Sequence, residues 1–284
     1  MLLGLIQLAR PRQWVKNILV GAAPFAAGVL FDPPVLRATV LAFVAFCLVS
    51  SATYAVNDVM DATLDAAHPT KRFRPVASGV LPPSVALGTS VVLAAGGLAV
   101  ARTVGGPLLL TVLVYLVLTM SYSLALKHQP VVELALVAGG FILRAVAGGA
   151  ATGVSLSQWF LIIAGFGSLL MVTGKRLSEL AGSTGTPIRR SLTFYPDSYL
   201  RTVAGISAAV TITGYVLWAS EVGVQHGRPL WTGISAVPFV IALLRYLLDA
   251  NTGRAEAPEH TVLADPVLLG LGAAWIATYG LAVL

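Results

Sequence analysis

The stretch LRATVLAFVAFCLVSSATYAVN, Leu36 to Asn57, runs without a break into DVMDATLD, Asp58 to Asp65. Apart from Arg37, the first part carries no charge. Its length meets the roughly 20 apolar residues needed to cross a bilayer as a helix. The second part holds three carboxylates, Asp58, Asp61 and Asp65. At spacings i, i+3 and i+7 they lie within about 60° of one another on a helix. Like charges so placed repel and call for a counterion. A hard cation such as Mg²⁺ takes one or two carboxylates and fills its octahedron with water and phosphate oxygens. Asn57, four residues before Asp61, can add an amide oxygen. Ionisable groups at the end of a membrane span are functional by default. This one reads as a metal–diphosphate site with Asp58, Asp61 and Asp65 as metal ligands and catalytic residues.

Outward from that stretch the apolar pattern repeats. Hydrophobic residues make up 57% of the 284 and charged ones 11%, against about 25% charged in a soluble domain. Mean hydropathy is +0.85. The bilayer is the solvent this surface suits. Nine spans are expected, near 17–31, 36–57, 83–102, 106–124, 130–150, 156–180, 198–220, 230–249 and 266–283. The first is short and broken by Pro24. The expected fold is an all-α polytopic membrane protein, nine helices in one bundle, with residues 1–284 forming a single domain. The lone Cys47 permits no intrachain disulfide.

Basic residues orient the bundle. The N-terminus and the loops after spans 2, 4, 6 and 8 carry Arg10, Arg12, Lys16, Lys71, Arg72, Arg74, Lys127, Lys175, Arg176, Arg189, Arg190, Arg201, Arg245 and Arg254. The opposite side has Arg37, Arg102 and Arg228, and Arg144 falls within span 5. The positive-inside rule makes the first side cytoplasmic, in a plasma membrane. The basic N-terminus then reads as a first anchor held inside rather than a cleaved leader. The net charge of +6 reflects topology and anion binding, not nucleic acid.

The acids are followed by His68-Pro69-Thr70-Lys71-Arg72-Phe73-Arg74-Pro75. Two prolines bracket a stiff loop. Lys71, Arg72 and Arg74 can neutralise phosphate oxygens the metal does not, arginine doing so bidentately. At the same face Tyr122 and Lys127 end span 4, and Lys175 and Arg176 end span 6. Lys127, Lys175 and Arg176 suit phosphate; Tyr122 reads equally as an interfacial aromatic. Arg144 is deep in span 5, about three turns beyond Glu133; it either reaches a substrate phosphate or pairs with a helix carbonyl. Ala147, Gly148 and Gly149 read as close helix packing. Arg189, Arg190 and Tyr195 read as an interfacial segment, and Glu259 and Asp265 as caps or partners of loop bases. His68 and His128 have no companion at zinc spacing, and the chain shows no P-loop.

At Asn57, Asp58, Asp61 and Asp65 the chain resembles the UbiA-type intramembrane prenyltransferases, whose signature is Asn-Asp-x-x-Asp-x-x-x-Asp after the second of nine spans. The resemblance covers essentially the whole chain. It implies a central cavity open to the cytoplasmic face, Mg²⁺ dependence and a lateral opening for a polyprenyl chain. Where typical members carry a second acidic motif after span 6, this chain reads Gly174-Lys175-Arg176-Leu177-Ser178-Glu179. The usual Tyr-x-x-x-Lys after span 4 is one residue longer, Tyr122 to Lys127. Together with Arg10-Pro11-Arg12-Gln13-Trp14-Val15-Lys16-Asn17 and the 68–75 loop, these features resemble the branch that moves a phosphoribosyl group. There the diphosphate belongs to phosphoribosyl pyrophosphate, the acceptor is a polyprenyl (decaprenyl) phosphate, and the product feeds cell-wall arabinan synthesis. Taken together, the candidate substrate-binding residues are Asn57, Lys16, Lys71, Arg72, Arg74, Tyr122, Lys127, Arg144, Lys175 and Arg176. Two rivals stand beside it: an ordinary prenyltransferase, and a lipid carrier with no catalysis. Whether the chain forms a homo-oligomer is open at this stage.

Overall fold

The computed structural model describes residues 1–182, 190–255 and 258–283. Helix α1 (Leu2–Ala9) stops at Arg10, which takes a left-handed conformation at φ 50°. Pro11 has no amide donor and disfavours helix in the residue before it. Residues Pro11–Gly21 then wind as a 3-10 helix, followed by the five-residue α2 (Ala22–Ala26). The apolar stretch expected as a first span is therefore not one regular α-helix.

The other eight expected spans appear as α-helices. They are α3 (Pro33–Met60), then, after the short α4 (Ala62–Ala66), α5 (Pro83–Val104), α6 (Gly106–Leu124), α7 (Val132–Thr152), α8 (Gln158–Gly182), α9 (Asp197–Gln225) and α10 (Pro229–Asn251); the short α11 (Pro258–Ala264) precedes α12 (Pro266–Val283). These eight are long and apolar enough to cross a membrane, and the chain is a multi-pass membrane protein. Prolines open α3, α5, α6 and α10 within their first turns, where a missing amide costs nothing and a fixed φ favours the helix. Helix α3 has 28 residues, about 42 Å at 1.5 Å per residue. A hydrocarbon core is about 30 Å thick, so α3 has length to spare for a polar end.

The chain forms two compact units, residues 1–25, 30–127 and 143–154, and residues 26–29, 128–142 and 155–284. In the first unit, Ala42, Ala45, Phe46 and Val49 of α3 pack with Leu108, Val112 and Tyr115 of α6 and with Ala147. Gly97 of α5 lies against α3 so closely that an added Cβ would meet the Val49 side chain and sit 3.0 Å from the Ala45 carbonyl. Gly148 lies against the Val20 carbonyl of the 3-10 helix with the same lack of room. In lipid, small residues of this kind let backbones approach, as expected for the Ala147–Gly149 run. In the second unit, Leu170, Val172 and Leu177 of α8 pack with Leu200, Ala204 and Ala208 of α9 and with Tyr246 and Ala250 of α10.

Candidate active site

The site in the first unit is built on one ridge of α3. Residues Cys47, Ser50 and Ser51, Tyr54 and Asp58 follow each other at three- and four-residue steps, so they share a face. The N-terminal segment lies along it. The Ser51 hydroxyl donates to the Ala9 carbonyl at 2.8 Å, and the Trp14 indole N–H donates to Ser51 Oγ at 3.0 Å and to the same carbonyl at 3.2 Å. The Asn17 amide donates to Cys47 Sγ at 3.3 Å and Ser50 Oγ at 3.4 Å. These contacts bring Arg10 to the polar end of α3. Its guanidinium lies 5.1 Å from the Tyr54 ring centroid and donates to Asp58 Oδ1.

The remaining acids gather bases in the same way. Arg74 Nη1 lies 2.5 Å from Asp65 Oδ2 and 3.3 Å from Asp58 Oδ1. Lys127 Nζ donates to Asp61 Oδ1, and Asn57 Nδ2 donates to Asp61 Oδ2 at 3.0 Å. The three carboxylates thus meet three cations, one from the end of α1, one from the loop after α4 and one from the segment after α6. Asp58 is 1% exposed, and its Oδ2 has no hydrogen-bond partner.

The other expected bases take several positions. The His68 ring Nδ1 accepts the backbone amides of Thr70 and Lys71 at 3.2 and 3.3 Å, which fixes the turn that presents Lys71 and Arg72. Arg72 is exposed, with its guanidinium 4.8 Å from the Phe73 ring centroid. Lys16 and Tyr122 are half-buried. Arg144 is buried; its Nε donates to Asn17 Oδ1 at 2.7 Å and its Nη2 to the Tyr115 hydroxyl at 2.8 Å, with the Tyr115 ring beside it at 4.9 Å. Two of its partners are thus side chains, one from the 3-10 segment and one from α6.

In the second unit Arg176 is enclosed by carboxylates. Its Nε and Nη2 donate to the two oxygens of Glu133 at 2.8 and 2.6 Å, and Nη1 donates to Glu179 at 2.7 Å. Glu133 is fully buried. Arg176 was expected to bind substrate phosphate; here its guanidinium fork is filled by protein acids. Lys175 stands 4.0 Å from Glu179 and is half-buried. Just before α7, Val131 takes φ 65°, a costly conformation for a β-branched residue. Its amide donates to the Tyr195 hydroxyl at 2.5 Å. Burial pushes the Tyr195 hydroxyl pKa up. Asp265 caps α12 through the Val267 amide at 2.8 Å and pairs with Arg245 at 2.9 Å, which matches its expected capping and pairing role. Arg189 lies outside the described residues, as do the side chains of Arg190 and Glu259.

The profile of the UbiA prenyltransferase family matches residues 17–262. The chain belongs to the UbiA prenyltransferase family. A relative from Mycobacterium tuberculosis named decaprenyl-phosphate phosphoribosyltransferase is 49% identical over 99% of this chain and 94% of its own length. One of the same name from Corynebacterium glutamicum is 47% identical over 96% and 84%. The solved UbiA homologue from Archaeoglobus fulgidus bound to DMAPP and Mg²⁺ superposes with a TM-score of 0.77 over 98% of both chains, at 18% identity. That likeness establishes the UbiA fold for this chain.

Among the described residues of this UbiA family member, no three His, Cys, Asp or Glu side chains converge as a ready metal cage. The residues nevertheless fit a hard cation. A buried carboxylate oxygen, Asp58 Oδ2, is left without a partner, and an unsatisfied buried acceptor is costly unless something completes it. Arg10 is the site residue that the sequence reading passed over. It stood there only as a topological charge and as part of the 10–17 motif. Its left-handed backbone and its contact with Asp58, 48 residues away, have no local sequence signal beyond Pro11.

Proposed function

We propose that this UbiA family member transfers the 5-phosphoribosyl group of phosphoribosyl pyrophosphate to a polyprenyl phosphate and releases pyrophosphate, as the first named relatives do by their names. The lipid acceptor is decaprenyl phosphate or a close homologue, and the product serves cell-wall arabinan synthesis. The observation that carries the site is the cluster of Asp58, Asp61 and Asp65 with Arg10, Arg74 and Lys127 upon it. Acid and base interleaved in this way suit a metal diphosphate, because each half of the ligand finds its counter-charge. The basic Lys175, at a place where typical family members carry further acids, suits an acceptor and a donor that both carry phosphate monoesters.

On this reading Asp58, Asp61 and Asp65 hold Mg²⁺, and Asn57 steadies Asp61 through its amide. When bound, Mg²⁺ supplies charge neutralisation for departing pyrophosphate. Lys71, Arg72 and Arg74 complete the anion cradle, which is electrostatic stabilisation of a developing charge. Lys16, Tyr122 and Lys127 serve as further phosphate contacts. The lipid phosphate is already ionised, so no strong general base is needed when its oxygen attacks ribose C1, and inversion at C1 is expected. In the second unit Lys175 is the base offered to a phosphate, while Arg176 ties α8 to α7 through Glu133. Arg144 supports the segment that carries Arg10 by holding Asn17. The whole chain, 1–284, acts as one domain, the apolar stretch near 17–31 makes the ninth crossing, and the site opens to the cytoplasm through a cavity.

The purified full chain with polyprenyl phosphate and ribose-labelled phosphoribosyl pyrophosphate tests this directly. Label should enter the lipid with Mg²⁺ and not without it. No lipid label at any Mg²⁺ concentration refutes the reading; lipid product from labelled prenyl diphosphate instead would identify an ordinary prenyltransferase.

A further inference from the structure

The three acids of the site lie on or at the cap of a helix, and its three bases lie at a helix end or on turns. Asp58 lies on α3, Asp61 caps its C-terminus and Asp65 lies on α4. Arg10 sits on a single left-handed residue between two helices, Arg74 on extended backbone after a 3-10 turn, and Lys127 within a three-residue 3-10 turn. Their side chains are 23, 25 and 15% exposed, against 1, 6 and 21% for Asp58, Asp65 and Asp61. Asp58 and Asp65 are thus buried, while each of the three bases keeps some contact with solvent.

Each of the three carboxylates also meets a cation. Arg10 and Lys127 must leave Asp58 and Asp61 before those oxygens can bind a metal ion. Without an anion to receive them, the displaced bases would face a more positive site inside a poorly solvated end of the bundle. With a diphosphate present, they find phosphate oxygens, which arginine and lysine bind well. We infer that Arg10 and Lys127 are exchangeable stand-in cations. They occupy the acids in the empty site and pass to the diphosphate when the metal enters, so the site binds a divalent cation tightly only together with a diphosphate. This rests on the metal–diphosphate reading above and adds a rule for its order of assembly.

Linkage makes the rule measurable, because a ligand that receives the displaced bases raises metal affinity by the free energy it supplies. The probe is Mn²⁺ followed by electron paramagnetic resonance on the detergent-solubilised full chain, alone and with inorganic pyrophosphate, against protein-free blanks. Wild-type protein should bind Mn²⁺ weakly alone and about tenfold or more tightly with pyrophosphate, within the usual range of coupling. Arg10→Gln and Lys127→Gln should each tighten binding of Mn²⁺ alone and shrink the gain from pyrophosphate. Arg10→Lys and Lys127→Arg keep the charge and fold; they should restore weak binding alone and a large gain. Equal or weaker binding of Mn²⁺ alone in the glutamine variants overturns the exchange. If Asp58→Asn and Asp61→Asn leave Mn²⁺ binding with pyrophosphate unchanged, the metal site itself is misplaced and both readings fall. Loss in the asparagine variants without gain in the glutamine variants overturns the exchange alone.

Discussion

Replacing Glu133 by glutamine removes the charge that Arg176 faces across two bonds of 2.8 and 2.6 Å. The side chains are 0 and 3% exposed, so solvent cannot take over. A hydrogen bond to a charged group contributes about 1.5–3 kcal/mol, and breaking one side of a buried pair costs about 3–5 kcal/mol. Arg176 keeps Glu179 at 2.7 Å, which places Glu133→Gln at the lower end, a loss of about 3 kcal/mol. Removing both charges is a different perturbation. Glu133→Leu with Arg176→Met leaves an apolar contact, with Glu179 17% exposed and Lys175 4.0 Å from it, and such swaps are often neutral. The double variant should recover most of the loss. Reversible unfolding in mixed micelles of a mild detergent and dodecyl sulfate, followed by far-ultraviolet circular dichroism, measures each variant. A single-variant loss under about 1 kcal/mol, the worth of an exposed pair, refutes the argument. So does a double variant less stable than Glu133→Gln.

Other outcomes follow from the same structure. Asp58→Ala and Asp61→Ala should abolish phosphoribosyl transfer while the helical dichroism stays intact; unchanged turnover places the metal elsewhere. Gly148→Val directs its new side chain onto the Val20 carbonyl, a backbone atom with no rotamer to move away. It should lose about 1–3 kcal/mol or more in the same unfolding measurement, whereas Gly233→Ala, with open space around it, should not. The hydrogen bond from Arg245 holds the Asp265 carboxyl below the usual carboxylate range. Its folded value is depressed, so its stabilisation is present above the ordinary value of about 3.9 and is lost as pH falls through the folded value. The stability gap between wild type and Asp265→Asn should therefore close on acidification below about pH 4; a gap that widens contradicts it.

Most of the architecture was legible because its causes are local. A bilayer demands apolar runs of a set length, and eight of the nine expected spans lie on long helices. The first did not reveal its form. Its composition is that of a span, but Pro11 and Pro24 each remove an amide donor, and Pro11–Gly21 settles into a 3-10 helix. Glycines at 97 and 148 are equally plain in the sequence, yet only packing shows which neighbour each one admits.

The sequence alone determined the membrane fold, because apolar runs are a property of adjacent residues, and it showed three carboxylates near the end of one span, although α3 stops at Met60 and Asp65 falls on the separate α4. Tertiary structure decided which base meets which acid. Arg10 reaches Asp58 across 48 residues and Lys127 reaches Asp61 across 66, while Arg176 turns to Glu133 across 43. In a sequence these bases look alike, whether they set topology, bind a ligand or brace two helices. Their roles separate only when packing has fixed how far each charge lies from its partner and how much water remains between them, since distance and solvation set the strength of an ion pair.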